Sequence, residues 1–422
     1  MERRSLSALD STQRDAVLDR DTGLDEIRDD VAEIVAEVRA GGDDSLREFS
    51  RRFDGVDVDD VDVTVAAEGA VETIPDEVRD AIESAIERVR AFHQRQVRSD
   101  WTDSFDGITL GRQFRPIERV GAYVPGGSAA YPSTAIMTVV PAKVAGVEDV
   151  AVVTPPAEEM NPVTLAAIHL AGADEVYAAG GAQAIAALAY GTETIPAVEK
   201  IVGPGNRWVA AAKAEVRGDA AIDMIAGPTE VLVVADGTAD PRLVAAELVG
   251  QAEHDPHSSA VAVTPDNALA EEVVTEVKGQ TPERERADII REALANDSSG
   301  VFVADSMDDA VAFAEEYAVE HLVVMADDEE SVANRIDSAG SVFVGEYSPV
   351  AAGDYASGTN HVLPTGRAAK TTGGLSVDSF VRSRTVQQID EAGLDSLSET
   401  IVTLAELEGL EAHAESVRTR FD

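Results

Sequence analysis

The 422-residue chain contains no cysteine. Disulfides, thiolate zinc sites and a nucleophilic thiol are therefore excluded, whatever chemistry the protein performs. It also lacks any apolar run of the roughly 18–20 residues that cross a bilayer. The N-terminus, Met1-Glu2-Arg3-Arg4-Ser5, leads into a segment rich in Asp and Arg with no apolar stretch of a signal peptide. A cytoplasmic location is therefore expected. Positive charge is scarce: 34 basic residues stand against 79 acidic ones, for a net charge of −45. Lysine occurs only at Lys143, Lys200, Lys213, Lys278 and Lys370. Such a surface repels nucleic acid and anionic membranes, so neither is an expected partner.

The acidic residues are spread along the whole chain rather than blocked in a tail. In dilute buffer they repel one another. At molar salt the screening length falls to about 3 Å and the repulsion largely vanishes. The composition therefore suits a salt-rich cytoplasm. Hydrophobic content of 44% makes the chain globular, and its length allows two or more domains with ample core.

Residues 1–20 read as an arm. Ile27, Val31, Ile34, Val35 and Val38 recur at helical spacing within 21–49, and Val78, Ile82, Ile86, Val89 and Phe92 repeat the pattern within 76–99. From about 117, short apolar strands and helices alternate, as in a parallel α/β sheet. The strand 120–124 runs into a glycine loop at Gly126-Gly127. Further strands are expected at 147–154, 175–179, 200–202, 230–235, 260–264, 301–304, 322–325 and 342–344. Asp240-Pro241 opens a helix that is stopped by Asp255-Pro256. The tail from 376 reads as helical, with Ile401, Leu404, Leu407 and Leu410 as an apolar stripe suited to docking on a neighbouring domain or subunit. Two α/β units are expected, split near 120 and near 228.

Polar chemistry gathers in a few places. Gly353–Pro364 has no apolar period yet holds Asp354, Tyr355, Ser357, Thr359, Asn360 and His361. It is either a solvated surface loop or the wall of a site. Gln251 and His254 lie three apart at a helix end and can face one ligand; a capping role for His254 is the alternative. Their N and O donors suit a borderline cation such as zinc or manganese. Glu320-His321 enters a strand at its start, and offers two proton acceptors of different basicity or a buried ion pair. Glu408 and His413 sit on the polar tail. The turns Val202-Gly203-Pro204-Gly205-Asn206-Arg207 and Gly180-Gly181-Ala182-Gln183 each join a strand to a helix N-terminus, where backbone N–H groups can hold an anion. Neither has the spacing of a dinucleotide fingerprint, and no phosphate-loop motif occurs.

Taken together, these segments resemble the histidinol dehydrogenase family, from about residue 20 to 415. The most specific stretches are Gly203-Pro204-Gly205-Asn206, Ala226-Gly227-Pro228-Thr229-Glu230-Val231-Leu232, Gln251–His254, Glu320-His321 and Gly353–Pro364. The composition marks an acidic, haloarchaeal type of member. The resemblance implies two incomplete Rossmann-like parallel-sheet domains with small N- and C-terminal helical segments. The first would combine 21–120 with 229–375 and carry the metal and acid/base residues; the second would be 121–228 with the NAD loops; 376–422 would dock on a partner subunit. It implies oxidation of L-histidinol to L-histidine through the aldehyde with two NAD. It implies one Zn2+ held at the positions of Gln251, His254, Asp354 and His413, and Glu320 and His321 as the acid/base pair. Thr229, His361 and Glu408 would touch substrate, together with the metal and acid/base positions. Tyr123, Gln183 and Asn206 would meet NAD. A homodimer is implied, with Glu408 and His413 acting across the subunit boundary. Thr229 departs from the serine of many members but keeps the hydroxyl.

The missing cysteine bears on this chemistry. Many aldehyde oxidisers form a thiohemiacetal on a cysteine. Without one, water has to add to the aldehyde, and Glu320 is the natural activator. A zinc hydrolase of a small polar substrate would use the same donors and Glu320, but gives no role to the loops at Tyr123, Gln183 and Asn206. A two-domain binding protein without turnover would need neither Glu320 nor His321. The charge distribution carries its own prediction: the melting temperature should rise as KCl is raised from millimolar to molar, and a fall in a thermal scan would refute the salt adaptation.

Overall fold

The computed structural model describes residues 1–18, 20, 23–126 and 131–421. Gly127 of the glycine loop and the expected helix start at 21–22 lie outside the described residues. The strands, in chain order, are β1 (Arg3–Ser5), β2 (Trp101–Phe105), β3 (Ile108–Pro116), β4 (Arg119–Tyr123), β5 (Asp149–Thr154), β6 (Glu175–Ala178), β7 (Lys200–Val202), β8 (Ala221–Ile222), β9 (Glu230–Ala235), β10 (Ser259–Thr264), β11 (Gly300–Val303), β12 (His321–Met325), β13 (Ser341–Val344) and β14 (Val381–Ile389).

Two parallel sheets dominate, as the strand–helix alternation predicts. One has five strands in the order β6-β5-β4-β7-β8; the other has six, in the order β1-β11-β10-β9-β12-β13. Counted from β4 and from β9, both follow the order 3-2-1-4-5. This is the doubly wound arrangement lacking its sixth strand. β9, β10 and β12 are buried along their whole length. Helices cover both faces, so these strands read as continuous apolar runs rather than alternating ones. The expected arm supplies β1, parallel to β11, and a helix at Ser11–Leu18 whose Val17 and Leu18 enter the core of the six-stranded sheet.

Two expectations are corrected. Residues 21–120 were expected to join the six-stranded sheet. Instead Ile27, Val31 and Val38 of the helix Leu24–Phe49 share a core with Ile185, Leu188 and Val209, which belong to the five-stranded unit. Ile82, Ile86 and Val89 of the helix Asp76–Gln94 pack with Val120, Ile136 and Val140 of that same unit. An apolar stripe shows that a helix is covered, not which sheet covers it. The tail also opens with one 3-10 turn, Val377–Phe380, and a strand before any α-helix. β14 pairs antiparallel with all of β3, which pairs with β2, and helices follow only at Glu391–Leu407 and Glu411–Arg418. The β2–β3 hairpin turns at Asp106-Gly107, both at positive φ (47° and 75°). An Asp-Gly pair between strands is the expected residue choice for such a turn.

The turn after β7 is pinned by an ion pair with almost no solvent exposure. Lys213 pairs with Asp223 and donates to the Gly203 carbonyl at 3.0 Å, while Asp223 accepts from Gly203 N at 2.7 Å and Met224 N at 2.6 Å. Gly203 sits at φ 106°, and a Cβ there would collide with the Tyr123 carbonyl. Lys213→Met leaves Asp223 charged and unpaired, so it should lower unfolding free energy by about 3–5 kcal/mol in denaturant melts. Unchanged stability would mean that the pair does not hold this turn.

Candidate active site

A cleft of about 1160 Å³ opens between the carboxyl edge of the five-stranded sheet and the amino edge of the six-stranded one. On the first wall it lies at the switch point between β4 and β7, where doubly wound sheets bind ligands. Tyr123 ends β4, and Pro204, Gly205 and Asn206 follow β7. The Tyr123 hydroxyl accepts from Gly181 N at 3.2 Å, and burial pushes the phenol up to about 12. Gln183 is buried in the first turn of the helix Gly181–Tyr190. Asn206 caps the helix Arg207–Val216 by accepting from Trp208 N at 3.0 Å and Val209 N at 3.2 Å. Its amide NH2 makes no part of that cap.

The opposite wall is built from the residues that begin β9 and β12. Because these strands are parallel neighbours, with His321 opposite Val231, Glu320 falls beside Glu230. One Glu320 oxygen accepts from Glu230 N at 2.8 Å and from the Thr229 hydroxyl at 2.5 Å. Gln251 Nε2 donates to the Thr229 hydroxyl at 2.6 Å, so the amide, hydroxyl and carboxylate form one chain. His321 Nδ1 lies 3.1 Å from the Glu230 carbonyl and 3.4 Å from the Glu320 carboxylate. Its Nε2 is buried without a hydrogen bond, 3.6 Å from Asp354. Burial alone would lower this imidazole, but Glu320 and Asp354 outweigh it and hold it up to about 10. Burial would raise Asp354; the adjacent His321 imidazole, with His361 and His254 nearby, instead holds it below the usual carboxylate range. His361 is pushed down by burial, and its Nδ1 lies 3.1 Å from the Asp354 carbonyl.

The segment 353–364 is therefore a site wall, though only in part a loop. Asp354 stands in a short helix, Val350–Tyr355, and the chain beyond it is irregular. Asn360 serves the fold: its amide donates to the Met137 carbonyl at 2.7 Å and its oxygen accepts from Val362 N at 2.9 Å.

One cleft thus gathers Tyr123, Gln183, Asn206, Thr229, His254, Glu320, His321, Asp354 and His361. Gln251 lies behind Thr229 rather than on the wall. Glu408 and His413 are exposed on the C-terminal helices and do not line it. Among the described residues no group of three His, Asp or Glu side chains is close enough to hold a metal. Within one chain, then, His254 and Asp354 are the two of the four expected ligands that reach the cleft.

The histidinol dehydrogenase sequence profile matches residues 18–421. The chain belongs to the histidinol dehydrogenase family. It is 64% identical over 419 residues to the histidinol dehydrogenase of Haloarcula marismortui, with 99% of each chain covered. It is 44% identical over 423 residues to that of Methanocaldococcus jannaschii, covering 99% of this chain and 98% of the relative. The crystal structure of the histidinol dehydrogenase from Elizabethkingia anophelis superposes with a TM-score of 0.93 at 36% identity, over 100% of this chain and 98% of that one.

Two site residues of this family member escaped the sequence reading. Glu230 is fully buried below Glu320; it accepts from Gly366 N at 2.7 Å and lies 3.0 Å from the Arg20 guanidinium. Arg20 stacks on the Tyr317 ring at 4.1 Å and donates to the Tyr317 carbonyl at 2.9 Å. Burial pushes Glu230 up to about 7 even with Arg20 beside it. A glutamate opening the run Val231-Leu232-Val233-Val234 is a legible sign; nothing local marks Arg20. Arg20→Ala leaves Glu230 buried without its cation beneath Glu320 and His321. It should cost about 3–5 kcal/mol in a denaturant melt, and Arg20→Ala/Glu230→Gln should recover part of that. An Arg20→Ala melt equal to the parent's would refute the coupling.

Proposed function

We propose that the chain oxidises L-histidinol to L-histidine through L-histidinaldehyde in two NAD-dependent steps. The observation that carries this reading is the Glu320–His321 pair facing the strand-to-helix turns at Tyr123, Gln183 and Asn206 across one cleft. A hydrolase needs the Glu320–His321 wall and has no use for the turns that face it. On this reading Tyr123, Gln183 and Asn206 bind NAD, and Thr229, His361 and Glu408 contact substrate beside the acid/base and metal positions. The unit 121–228 carries the cofactor, 229–375 carries the chemistry, and 376–422 docks on a second copy.

A dehydrogenation of this kind removes a hydride from carbon and a proton from oxygen. His321 takes the proton in each step. Glu320 and Asp354 hold its imidazole above the ordinary histidine range against the opposing effect of burial. It becomes a base only when the Asp354 charge is countered by what binds there. Glu320, aligned by Thr229 and Glu230 N, draws a proton from the water that adds to the aldehyde. The hydrate so formed can then release the second hydride.

The donor set fits a zinc ion in part: His254 and Asp354 line the cleft, and Gln251 lies against Thr229 at its back. His413 would complete the set from a second copy. Zinc held by these residues would supply a Lewis-acid anchor for the polar end of the substrate and so orient the carbinol carbon. Leu404, Leu407 and Leu410, 55%, 79% and 44% exposed, form an apolar row near Glu408 and His413 that supports docking of the tail in a homodimer.

The test is to count NADH formed per histidinol in molar KCl. About two are expected from two successive two-electron oxidations; no NADH, or hydrolysis without NAD, would sink the reading. Glu320→Gln should spare the first oxidation more than the second, and equal loss of both would contradict the role of Glu320. Asp354→Ala should lose bound metal together with activity.

A further inference from the structure

The helix that carries Asp354 is too short to hold its own position. Val350–Tyr355 has six residues, and an isolated helix shorter than about 12 residues is marginal in water. The residue before it is Pro349, which has no side-chain acceptor with which to cap it. Contacts from elsewhere fix it instead. The Val350 side chain enters the core that holds Leu248, Val249 and Phe343. Gly353 lies so close to the Phe343 ring that a Cβ there would meet it at 2.7 Å. A third contact is polar: Glu247 Oε2 accepts from Val350 N at 3.1 Å. Glu247 stands on the helix Pro241–Ala252, one turn before Gln251 and on the same face. His254 follows that helix directly, with its N bonded to the Gln251 carbonyl at 3.3 Å. One carboxylate thus joins the element that presents Gln251 and His254 to the element that presents Asp354.

Glu247 does not line the cleft, and the proposed chemistry gives it no part. Burial pushes its carboxyl up and the Asp354 charge adds to this, while the Val350 N–H opposes it. An apolar side chain would fill the space without placing one carboxylate near another. What it could not supply is the bond to Val350 N. We propose that Glu247 is a positioning residue for the cation site, setting the spacing between Asp354 and the Gln251–His254 pair. This rests on the zinc reading of the cleft. A cation takes its ligands at fixed distances, so affinity depends on how closely the protein holds them there. Gln251 and His254 are placed by a helix of 12 residues, Asp354 by one of six, and the tether acts on the less constrained of the two. It bears on His321 as well. The His321 Nε2 lies 3.6 Å from Asp354, and its ring lies 6.0 Å from the Phe343 ring on which Gly353 rests.

The test compares Glu247→Gln, whose amide oxygen can still accept from Val350 N, with Glu247→Leu, which fills the space and cannot. Zinc affinity of the full chain would be measured in molar KCl by competition with a chromogenic chelator, without turnover. Glu247→Leu should raise the Kd for zinc about 10–100-fold, the usual effect of losing a group that orients a metal ligand. Glu247→Ala removes the same acceptor without adding a branched side chain and should behave as Glu247→Leu does. Glu247→Gln should keep most of the parent affinity, because the acceptor remains. Hydrogen exchange read by mass spectrometry adds a measurement that needs no metal. The amides of 350–355 should exchange faster in Glu247→Leu and at the parent rate in Glu247→Gln. The proposal is overturned if loss of the acceptor leaves zinc affinity or exchange in 350–355 as in the parent, or if Glu247→Gln loses as much affinity as Glu247→Leu. A parent that takes up no zinc overturns the metal assignment and this role with it. A parent that binds zinc as expected but makes no NADH from histidinol overturns the assigned reaction and leaves the role of Glu247 standing.

Discussion

The arrangement turns on a carboxylate that has to be satisfied where a buried strand begins. Glu320 is 6% exposed and precedes a strand with no exposed residue. It is held by the backbone N–H that opens β9 and by the hydroxyl of the residue before it. That solution exists only because β9 and β12 are parallel neighbours whose register sets Glu320 level with Glu230. Sheet order and register thus set the positions of Glu320 and His321. Glu230, Arg20 and Tyr317 lie below it, so the arm that supplies Arg20 belongs electrostatically to the site.

The two sheets share one strand order but contribute opposite edges to the cleft. The five-stranded sheet offers its carboxyl edge, where turns lead into helix N-termini. The six-stranded sheet offers its amino edge, where Thr229, Glu320 and His321 stand at strand starts. One edge suits an anionic, planar ligand; the other concentrates titratable side chains. A cleft between them can bring a hydride acceptor and a proton acceptor to opposite sides of one carbon without either wall doing both tasks.

Much of this was legible in the chain. Parallel strands buried on both faces announce themselves as apolar runs, and the breakers between them fixed their limits closely: β7 and β9 fall where expected. The site residues stood out because they are polar groups at the ends of those runs. What stayed hidden depended on distance. The helices of residues 24–94 were recognised as helices, but their stripes are equally compatible with either sheet. β14 carries Val381, Arg382, Ser383 and Arg384 in no apolar alternation, and it exists because β3 offers an edge nearly three hundred residues earlier in the chain. Arg20 is an ordinary charged residue until the fold buries its side chain.

The acidity of the chain adds a constraint on how the first wall can work. A dinucleotide carries a negative pyrophosphate, and a protein of net charge −45 repels it at long range in dilute buffer. In molar salt that field is screened within about 3 Å, so neither attraction nor repulsion acts beyond contact. Recognition then has to come from short-range donors that lose little to screening. The wall is built that way: the Asn206 amide, a buried Gln183, the Tyr123 hydroxyl and two helix N-termini are all neutral. The far wall carries the titratable cluster of Glu320, His321 and Asp354, which is shielded by burial rather than by salt. An acidic surface and an anion-binding cleft are thus compatible, because the surface acts through a field that salt removes and the cleft acts through contacts that salt leaves in place.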